Sequence, residues 1–289
     1  MFPYKVNALT VKDPGYPPGL INLHKPPNPL FYIGKAPSEW MNSPKVAVVG
    51  SRKISSYGRL ITQDLVGELG RAGVTIISGL AYGIDATAHW AALEARATTV
   101  AVLPTGLDRV YPAAHYNLAK SILTNGGTLT SECQAGSEVF KVNFIARNRI
   151  VSGLADLLLI TEAAANSGTL HTAQFALEQG KTVMAVPGNI NSAMSEGCNN
   201  LIKSGAIPVT SAADVFFALG INPERKQQKV FRGAPHIELV FKLISKGTHS
   251  QEELALESKL TSSSVNSALT TLEVSGYIRA QGNGRWIKA

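Results

Sequence analysis

The sequence has few cysteines, few charged residues and no long apolar segment. Cys133 and Cys198 are the two cysteines of the 289-residue chain. Their spacing fits neither a metal site nor a redox pair, so we expect two small buried side chains in a reducing compartment. No run of about 18 apolar residues occurs, and the N-terminus lacks the charged-then-apolar order of a signal peptide. These absences predict a soluble, cytoplasmic protein with no membrane segment, no metal and no cofactor.

Positive charge is concentrated in a few places. The net charge of +7 is typical of a protein with a polyanionic partner. Residues 46–221, however, contain twelve Lys and Arg residues and twelve Asp and Glu residues. This segment can bind phosphates only where its cations gather, which is at Arg52 and Lys53 and in the stretch 141–149.

From residue 46 onward, short apolar runs alternate with amphipathic segments. This alternation predicts an α/β fold, in which crossover helices cover a buried parallel sheet on both faces. Ligands of such open sheets bind beyond the carboxyl ends of the strands. The predicted strands are 46–50, 74–78, 99–103, 156–160 and 182–186, and the predicted helices are 57–72, 84–96, 115–125, 168–180, 197–204 and 211–219.

The two ends of the chain differ from the central domain, 46–221. Residues 1–45 are rich in proline and predict an extended arm, with one edge strand at 30–34. Residues 222–235 are mostly polar between two prolines and predict a linker. Residues 236–289 predict three helices and a hairpin, which is the order of a small winged-helix-like domain.

The stretch Lys141–Leu154, KVNFIARNRIVSGL, is the strongest candidate for a binding site. Guanidinium groups suit phosphate oxygens, and an exposed phenyl ring offers a face on which a base can stack. Two interpretations fit the stretch: a nucleic-acid grip, or a helix with a solvated basic face and Phe144 in the core. The candidate DNA-binding residues here are Lys141, Asn143, Phe144, Arg147, Asn148 and Arg149.

Three turns that follow predicted strands offer backbone N–H groups to an anion. The first turn matches neither the Gly-x-Gly-x-x-Gly fingerprint nor the Walker phosphate loop, so a nicotinamide cofactor and a Walker-type ATP site lose support. It can still seat one phosphate, although an ordinary βα turn explains it equally well. The candidate residues are Gly50, Ser51, Arg52 and Lys53 in the first turn, Gly79 in the second, and Ser167, Gly168 and Thr169 in the third.

The sequence gives little support for catalysis. Glu162 and His171 flank the third turn and could form an acid–base pair, but no nucleophile elbow and no carboxylate pair of fixed local spacing accompanies them. His89 has no second metal ligand nearby, and we expect Asp85 to cap the helix that contains it.

Five segments, in consistent order, resemble the DprA/Smf family, the bacterial DNA-processing proteins of natural transformation. Together they are far more specific than a single glycine-rich loop. They are VAVVGSRKISSYG (46–58), SGLAYGIDATAH (78–89), FIARNRIVSGLAD (144–156), ITEAAANSGTLHTAQFALEQGKTVMAVPG (160–188) and SEGCNNLIKSGAIP (195–208).

The resemblance implies an extended Rossmann-like domain that binds single-stranded DNA, forms a homodimer and helps to load the RecA recombinase, without established catalysis. It assigns DNA binding to the Gly-Ser-Arg turn at 50–52, to Lys141, to the segment 144–150 and to Asn199 in the segment 195–202. Ile145 stands where the family usually has proline.

Two other functions are alternatives to this interpretation of the sequence. One is a Rossmann-like nucleotide-binding hydrolase of the lysine-decarboxylase-like group, whose phosphate loop loosely resembles ANSGTLHTA; it would need a paired arginine and glutamate, which the sequence does not identify. The other is a transcription regulator, which would need a basic recognition helix. TSSSVNSALTTLEVSG, at 261–276, contains no Lys or Arg.

Overall fold

The chain forms two compact units, Met1–Pro223 and Glu224–Ala289. The computed structural model describes residues 4–222, 233–282 and 284–288. Most of the linker predicted at 222–235 lies outside the described residues. In the described part of the chain, no helix is both long and apolar enough to cross a membrane.

The first unit is built on one sheet that contains nine of the described strands, in the order β1-β2-β6-β5-β4-β3-β7-β8-β9. Along the sheet from β6 through β5, β4, β3, β7 and β8 to β9, every neighbouring pair is parallel. The strand β2 pairs antiparallel with both β1 and β6. The strands are β1 Asn7–Leu9, β2 Leu30–Gly34, β3 Lys45–Val49, β4 Thr75–Ser78, β5 Thr99–Val102, β6 Thr128–Ser131, β7 Leu157–Ile160, β8 Thr182–Ala185 and β9 Ile207–Pro208.

Helices cover both faces of this sheet. The described helices are α1 Pro18–Ile21, α2 Pro37–Trp40, α3 Ser56–Arg71, α4 Ile84–Glu94, α5 Tyr116–Thr124, α6 Lys141–Leu154, α7 Thr169–Glu178, α8 Glu196–Lys203 and α9 Ala212–Ala218. The α/β prediction is therefore confirmed, and the predicted strands and helices end within two residues of those observed.

Side-chain alternation along the strands explains the two layers of helices. In β3, Val46 and Val48 pack in one core cluster with α3, α4 and α9, whereas Ala47 and Val49 pack in another with α6, α7 and α8. Successive side chains of a strand point to opposite faces, so a strand that is apolar throughout needs cover on both sides. The carboxyl ends of the strands remain uncovered and form the edge where ligands bind in open sheets.

The first 45 residues form part of this unit. Tyr16, Leu20 and Trp40 are buried in the core cluster that contains α6. The strand predicted at 30–34 is present as β2, but its predicted position at the edge of the sheet is wrong. Residues Asn7–Leu9 pair with it on its outer side, so β1 takes the edge.

The second unit consists of helices and a small hairpin. Its elements are α10 Pro235–Lys246, α11 Gln251–Ser258, α12 Ser262–Val274, β10 Ile278–Gly282 and β11 Arg285–Lys288. Val240, Leu254 and Leu269 are buried in its core, and the predicted capping box of Ser250 and Glu253 starts α11. The element order is the predicted one, and of the turn predicted at Gly282, Asn283 and Gly284, Asn283 lies outside the described residues.

Candidate nucleic-acid interface

The first turn is held between two neighbouring segments at the carboxyl edge. Its Ser51 N–H donates to the Glu162 carbonyl at 2.7 Å, and the Ile84 N–H donates to the Ser51 carbonyl at 3.1 Å. A Cβ at Gly50 would lie 2.5 Å from Ile84 and 2.7 Å from the Glu162 carbonyl. Only glycine allows this approach, which seats the turn that carries Arg52 against α4 and the segment after β7.

Arg52, Phe144 and Tyr111 form an exposed cluster at this edge. The guanidinium carbon of Arg52 lies 5.9 Å from the Phe144 ring centroid. The rings of Tyr111 and Phe144 meet edge to face, with centroids 5.0 Å apart. Arg52, Lys53 and Lys141 are exposed, Phe144 is half-buried and Tyr111 is 48% exposed. We call these five residues the edge cluster.

Phe144 is neither a fully exposed ring nor a core residue, which are the two possibilities that the sequence left open. It starts the second turn of α6, one helical turn after Lys141, so the two residues lie on the same side of the helix. Phe144 belongs to none of the buried core clusters among the described residues. The Phe144 ring packs against Tyr111 and Arg52, and this packing leaves part of the ring open to a ligand.

Arg147 does not occupy the place predicted for it. It is 5% exposed, and its Nη1 donates to the carbonyl of Val102 at 2.6 Å and to that of Gly79. A Cβ at Gly79 would lie 2.1 Å from this nitrogen, so the arginine needs glycine there. The guanidinium of Arg147 therefore ties the ends of β4 and β5 to α6, and its predicted role as a phosphate ligand gains no support from this conformation.

A buried carboxylate accompanies this buried cation. Asp85 accepts hydrogen bonds from the N–H groups of Gly79 at 3.1 Å and Ala81 at 3.4 Å. Burial raises the pKa of Asp85, while the charge of Arg147 and the two amides oppose the rise. Burial also lowers the pKa of Arg147 to about 10, against the attraction of Asp85, so the arginine stays charged at neutral pH.

These contacts correct two further predictions. Gly83, rather than Asp85, is the N-cap residue of α4. The Gly79 N–H donates to the Asp85 carboxylate and is therefore not open to an anion from solvent. The second turn therefore contributes to the interface through its buried hydrogen bonds with Asp85 and Arg147.

Three other residues predicted to contact DNA are held by internal contacts. Arg149 pairs with Glu132, at the end of β6. Asn148 accepts a hydrogen bond from Arg147 Nε at 3.2 Å, and Asn143 donates to the Pro104 carbonyl at 3.5 Å. The contacts of Arg149 and Asn143 join α6 to the segments that follow β6 and β5, and the contact of Asn148 lies within the helix.

The third turn is more open. Ser167 donates to the Thr169 hydroxyl at 2.9 Å and accepts from the Thr169 N–H at 3.2 Å, which fixes the start of α7. Gly168 is exposed, and a Cβ there would meet no atom within 4 Å. Asn199 makes no contact with this turn among the hydrogen bonds of the described residues and holds both backbone groups of Gly188, at 3.1 and 3.2 Å.

Glu162 has a structural partner. Its carboxylate accepts hydrogen bonds from the N–H of Ser55, at 2.9 Å, and from the Ser55 hydroxyl. Ser55 in turn caps α3. Glu162 is 2% exposed and His171 is exposed, so the acid–base pair weighed from the sequence gains no support.

Tyr111 is not among the binding residues predicted from the sequence. It lies between β5 and α5, beyond the carboxyl end of a predicted strand, in the segment TGLDRVYPAAHY. A search for aromatic residues just after strand ends would have found it.

Comparison with known proteins agrees with this architecture. Residues 7–220 match the family of DNA recombination-mediator protein A. The chain is 45% identical over 200 residues to protein Smf of Escherichia coli K12, covering 69% of this chain and 53% of Smf. It is 40% identical over 211 residues to the DNA processing protein DprA of Streptococcus pneumoniae, covering 73% of each. The chain thus spans about half the length of E. coli Smf.

Two solved structures share the fold. The X-ray structure of the Streptococcus pneumoniae protein has a TM-score of 0.68 and covers 74% of each chain. DNA processing protein A from Helicobacter pylori, described with a single-stranded DNA binding mode, is 29% identical with a TM-score of 0.67, covering 75% of this chain and 96% of that one.

The parallel sheet, its open carboxyl edge and these relatives define an α/β DNA-processing protein. The chain belongs to the DprA/Smf family of DNA recombination-mediator proteins. This family is known for recombination mediation and not as a family of enzymes.

Proposed function

We propose that this protein binds single-stranded DNA at the edge cluster and delivers the strand to a recombinase. The observation that carries the proposal is the position of the Arg52 guanidinium, 5.9 Å from the centroid of a half-buried phenyl ring. A phosphate bound by the guanidinium and a base stacked on the ring would belong to adjacent parts of one strand. The single-stranded DNA binding mode of the Helicobacter pylori relative supports this proposal.

The contacts divide the predicted residues, together with Tyr111, according to the roles that we propose for them. Arg52, Lys53 and Lys141 are exposed cations and would neutralise phosphates, while Phe144 and Tyr111 would receive a base. The other predicted residues shape the surface through their hydrogen bonds and close packing; these are Gly50, Ser51, Gly79, Asn143, Arg147, Asn148, Arg149, Ser167, Thr169 and Asn199. Gly168 leaves an open backbone that a strand could approach.

This arrangement favours single strands over duplexes. Bases in a duplex stack on one another and cannot present a face to Phe144 without unstacking, which costs a few kcal/mol. The edge cluster has a small number of cations and no helix that projects into a groove. We therefore expect weaker binding to duplex DNA at moderate salt.

The first experiment is a fluorescence-anisotropy titration of the full chain with a labelled 20-nucleotide strand and with the same strand annealed to its complement. Preferential binding of the single strand, with a logarithmic affinity that falls by about 0.7 per neutralised phosphate for each logarithmic unit of salt, supports the proposal. Equal affinity for both forms contradicts it.

Recombinase loading and homodimer formation are proposals that rest on family membership. We expect the protein to speed RecA assembly on strands already coated with single-strand-binding protein, measured as the lag before RecA ATP hydrolysis reaches its steady rate. An Arg52→Ala variant should lose this effect together with its DNA affinity. Sedimentation equilibrium of the full chain checks the dimer, for which a single monomeric species would be a negative result.

A further inference from the structure

A recess that includes none of the edge-cluster residues lies beside the first turn. It has a volume of about 490 Å³ and is lined by residues that include Ser55, Tyr57, Glu162, Gly188, Ser192 and Ser195. This volume lies within the range of pockets that hold small organic ligands. We call it the Glu162 cleft.

The walls of the Glu162 cleft are fixed by contacts that leave little freedom. The Tyr57 hydroxyl donates to the Pro187 carbonyl at 2.8 Å, which holds the ring across the cleft. A Cβ at Gly188 would lie 2.1 Å from Ser195 Oγ, and one at Gly58 would lie 2.6 Å from the Glu162 carboxylate. Glycine at these positions lets the polar side chains close in, so the cleft is preformed.

The cleft shares Glu162 with the proposed DNA surface. The main-chain carbonyl of Glu162 accepts from Ser51, in the turn that carries Arg52, and Glu162 is one of the residues that line the cleft. A strand whose phosphate is held at Arg52 therefore passes close to the opening of the cleft. This inference rests on the proposed function and adds a second base site to it.

The chemistry of the cleft selects a base and not a phosphate. Among the described residues that line it there is no lysine or arginine, and the buried group is a carboxylate. A carboxylate has about four acceptor positions, of which Ser55 uses two. Tyr57 adds a partly exposed ring against which a base can stack.

Guanine is the base that fits this acceptor best. Its Watson–Crick edge carries two neighbouring donors, N1–H and the 2-amino group, which match the two oxygens of a carboxylate. Adenine and cytosine present an acceptor nitrogen beside their amino group, and thymine flanks its single donor with two carbonyls. We propose that the Glu162 cleft receives a guanine base of the bound single strand.

The test compares three 12-nucleotide strands in anisotropy titrations of the full chain: all thymidine, one central deoxyguanosine, and one central deoxyinosine, which lacks only the 2-amino group. The guanine strand should bind about fivefold or more tightly than the thymidine strand, with the inosine strand between them. One guanine per strand prevents quadruplex formation.

Two variants obstruct or strip the cleft. Ser192→Leu fills it, and Tyr57→Leu removes its ring; in both, guanine preference should vanish while affinity for the thymidine strand stays within about twofold. Ala193→Leu is the matched control, because Ala193 is exposed, neighbours Ser192 and does not line the cleft. It should keep the preference. Thermal melting identifies any variant that fails to fold, and the other variant then carries the test.

The outcomes separate this inference from the proposed function. Equal affinity for the three strands, or a preference that persists in both cleft variants, overturns the guanine site; if Arg52→Ala still weakens binding of all three strands, the proposed function stands without it. Equilibrium dialysis with deoxyguanosine monophosphate covers the free nucleotide. Nucleotide binding that Ser192→Leu removes, without guanine preference among strands, would assign the cleft to a free nucleotide and overturn the strand-base proposal.

Discussion

The guanidinium of Arg52 lies 5.9 Å from the centre of the Phe144 ring, although 92 positions separate the two residues in the chain. The first turn and helix α6 meet at the carboxyl edge of the sheet, and each contributes one of the two side chains. A cation and an aromatic face side by side are the two elements that sequence-independent recognition of a single strand requires.

Phe144→Ala is expected to weaken binding of single strands by about 1–3 kcal/mol per stacked base, with little change in the salt dependence. A phenyl ring releases no counterion, so the number of neutralised phosphates stays constant. Phe217→Ala is the matched control, because Phe217 is 88% exposed on α9. Unchanged affinity for Phe144→Ala, or an equal loss for Phe217→Ala, would contradict a stacking role.

Arg147→Ala is expected to act on folding. Removing this buried cation frees two carbonyls and leaves the Asp85 carboxylate without its compensating charge, which should lower the free energy of unfolding by about 3–5 kcal/mol. Urea denaturation measures the loss, and Asp85→Asn in the same chain should recover part of it. Arg71→Ala, at an exposed position, should change it by about 0.5 kcal/mol or less. A stable Arg147→Ala protein would show that the buried arginine is dispensable.

His89 should make stability depend on pH below neutrality. Its Nδ1 lies 2.7 Å from Thr99 Oγ1, and burial, assisted by His115 and Arg147, lowers the pKa of His89 from 6.5 to about 3. The unfolded chain gains a proton below pH 6.5 that the folded chain gains only near pH 3. Stability contributed by neutral His89 is therefore present above pH 6.5 and is lost as the pH falls.

The loss attributable to His89 between pH 7.5 and pH 5 is about 2 kcal/mol. Urea denaturation at both values should show it in the parent and in His171→Gln, whose histidine is exposed. His89→Gln should lose correspondingly less stability over the same interval. Identical pH dependence in all three proteins would mean that the pKa of His89 does not differ between the folded and the unfolded chain.

Truncation after Pro223 is expected to leave a folded protein that still binds single-stranded DNA, because each unit has its own core. Circular dichroism melting and the anisotropy titration check the two parts of this prediction. An unfolded truncated chain would show that the first unit depends on the second.

The elements that could be predicted from the sequence are those whose apolar residues form a run or recur at the spacing of a strand or helix. The strand β3 and its parallel neighbours were found because aliphatic runs are typical of a sheet covered on both faces. The strand β6 was missed because its sequence is Thr-Leu-Thr-Ser. Its hydroxyls donate to backbone carbonyls of residues distant in the chain, as Thr130 does to Phe31 at 2.8 Å. Because these hydrogen-bond partners are far away in the sequence, no local pattern reveals that the polar side chains can be buried in a strand.

The candidate site was predicted in composition but only partly in geometry. Arg52, Lys141 and Phe144 were identified from residue type and from position after a strand or in a basic stretch. Arg147 was misassigned because its partners, Gly79 and Val102, are 68 and 45 positions away. The sequence shows that Arg147 is basic, but its burial depends on where those carbonyls lie in the folded sheet.

The most direct test of the account is the affinity of the full chain for a labelled 20-nucleotide single strand, measured over a series of salt concentrations for the parent, Arg52→Ala and Arg71→Ala. Arg71 is an exposed arginine at the C-terminal end of the 16-residue α3, a helix about 24 Å long, so it controls for net charge. Arg52→Ala should bind more weakly at every salt concentration and with a logarithmic salt slope smaller by about 1, while Arg71→Ala should match the parent. Parent-like binding by Arg52→Ala, or equal losses in both variants, would contradict a DNA site at the edge cluster.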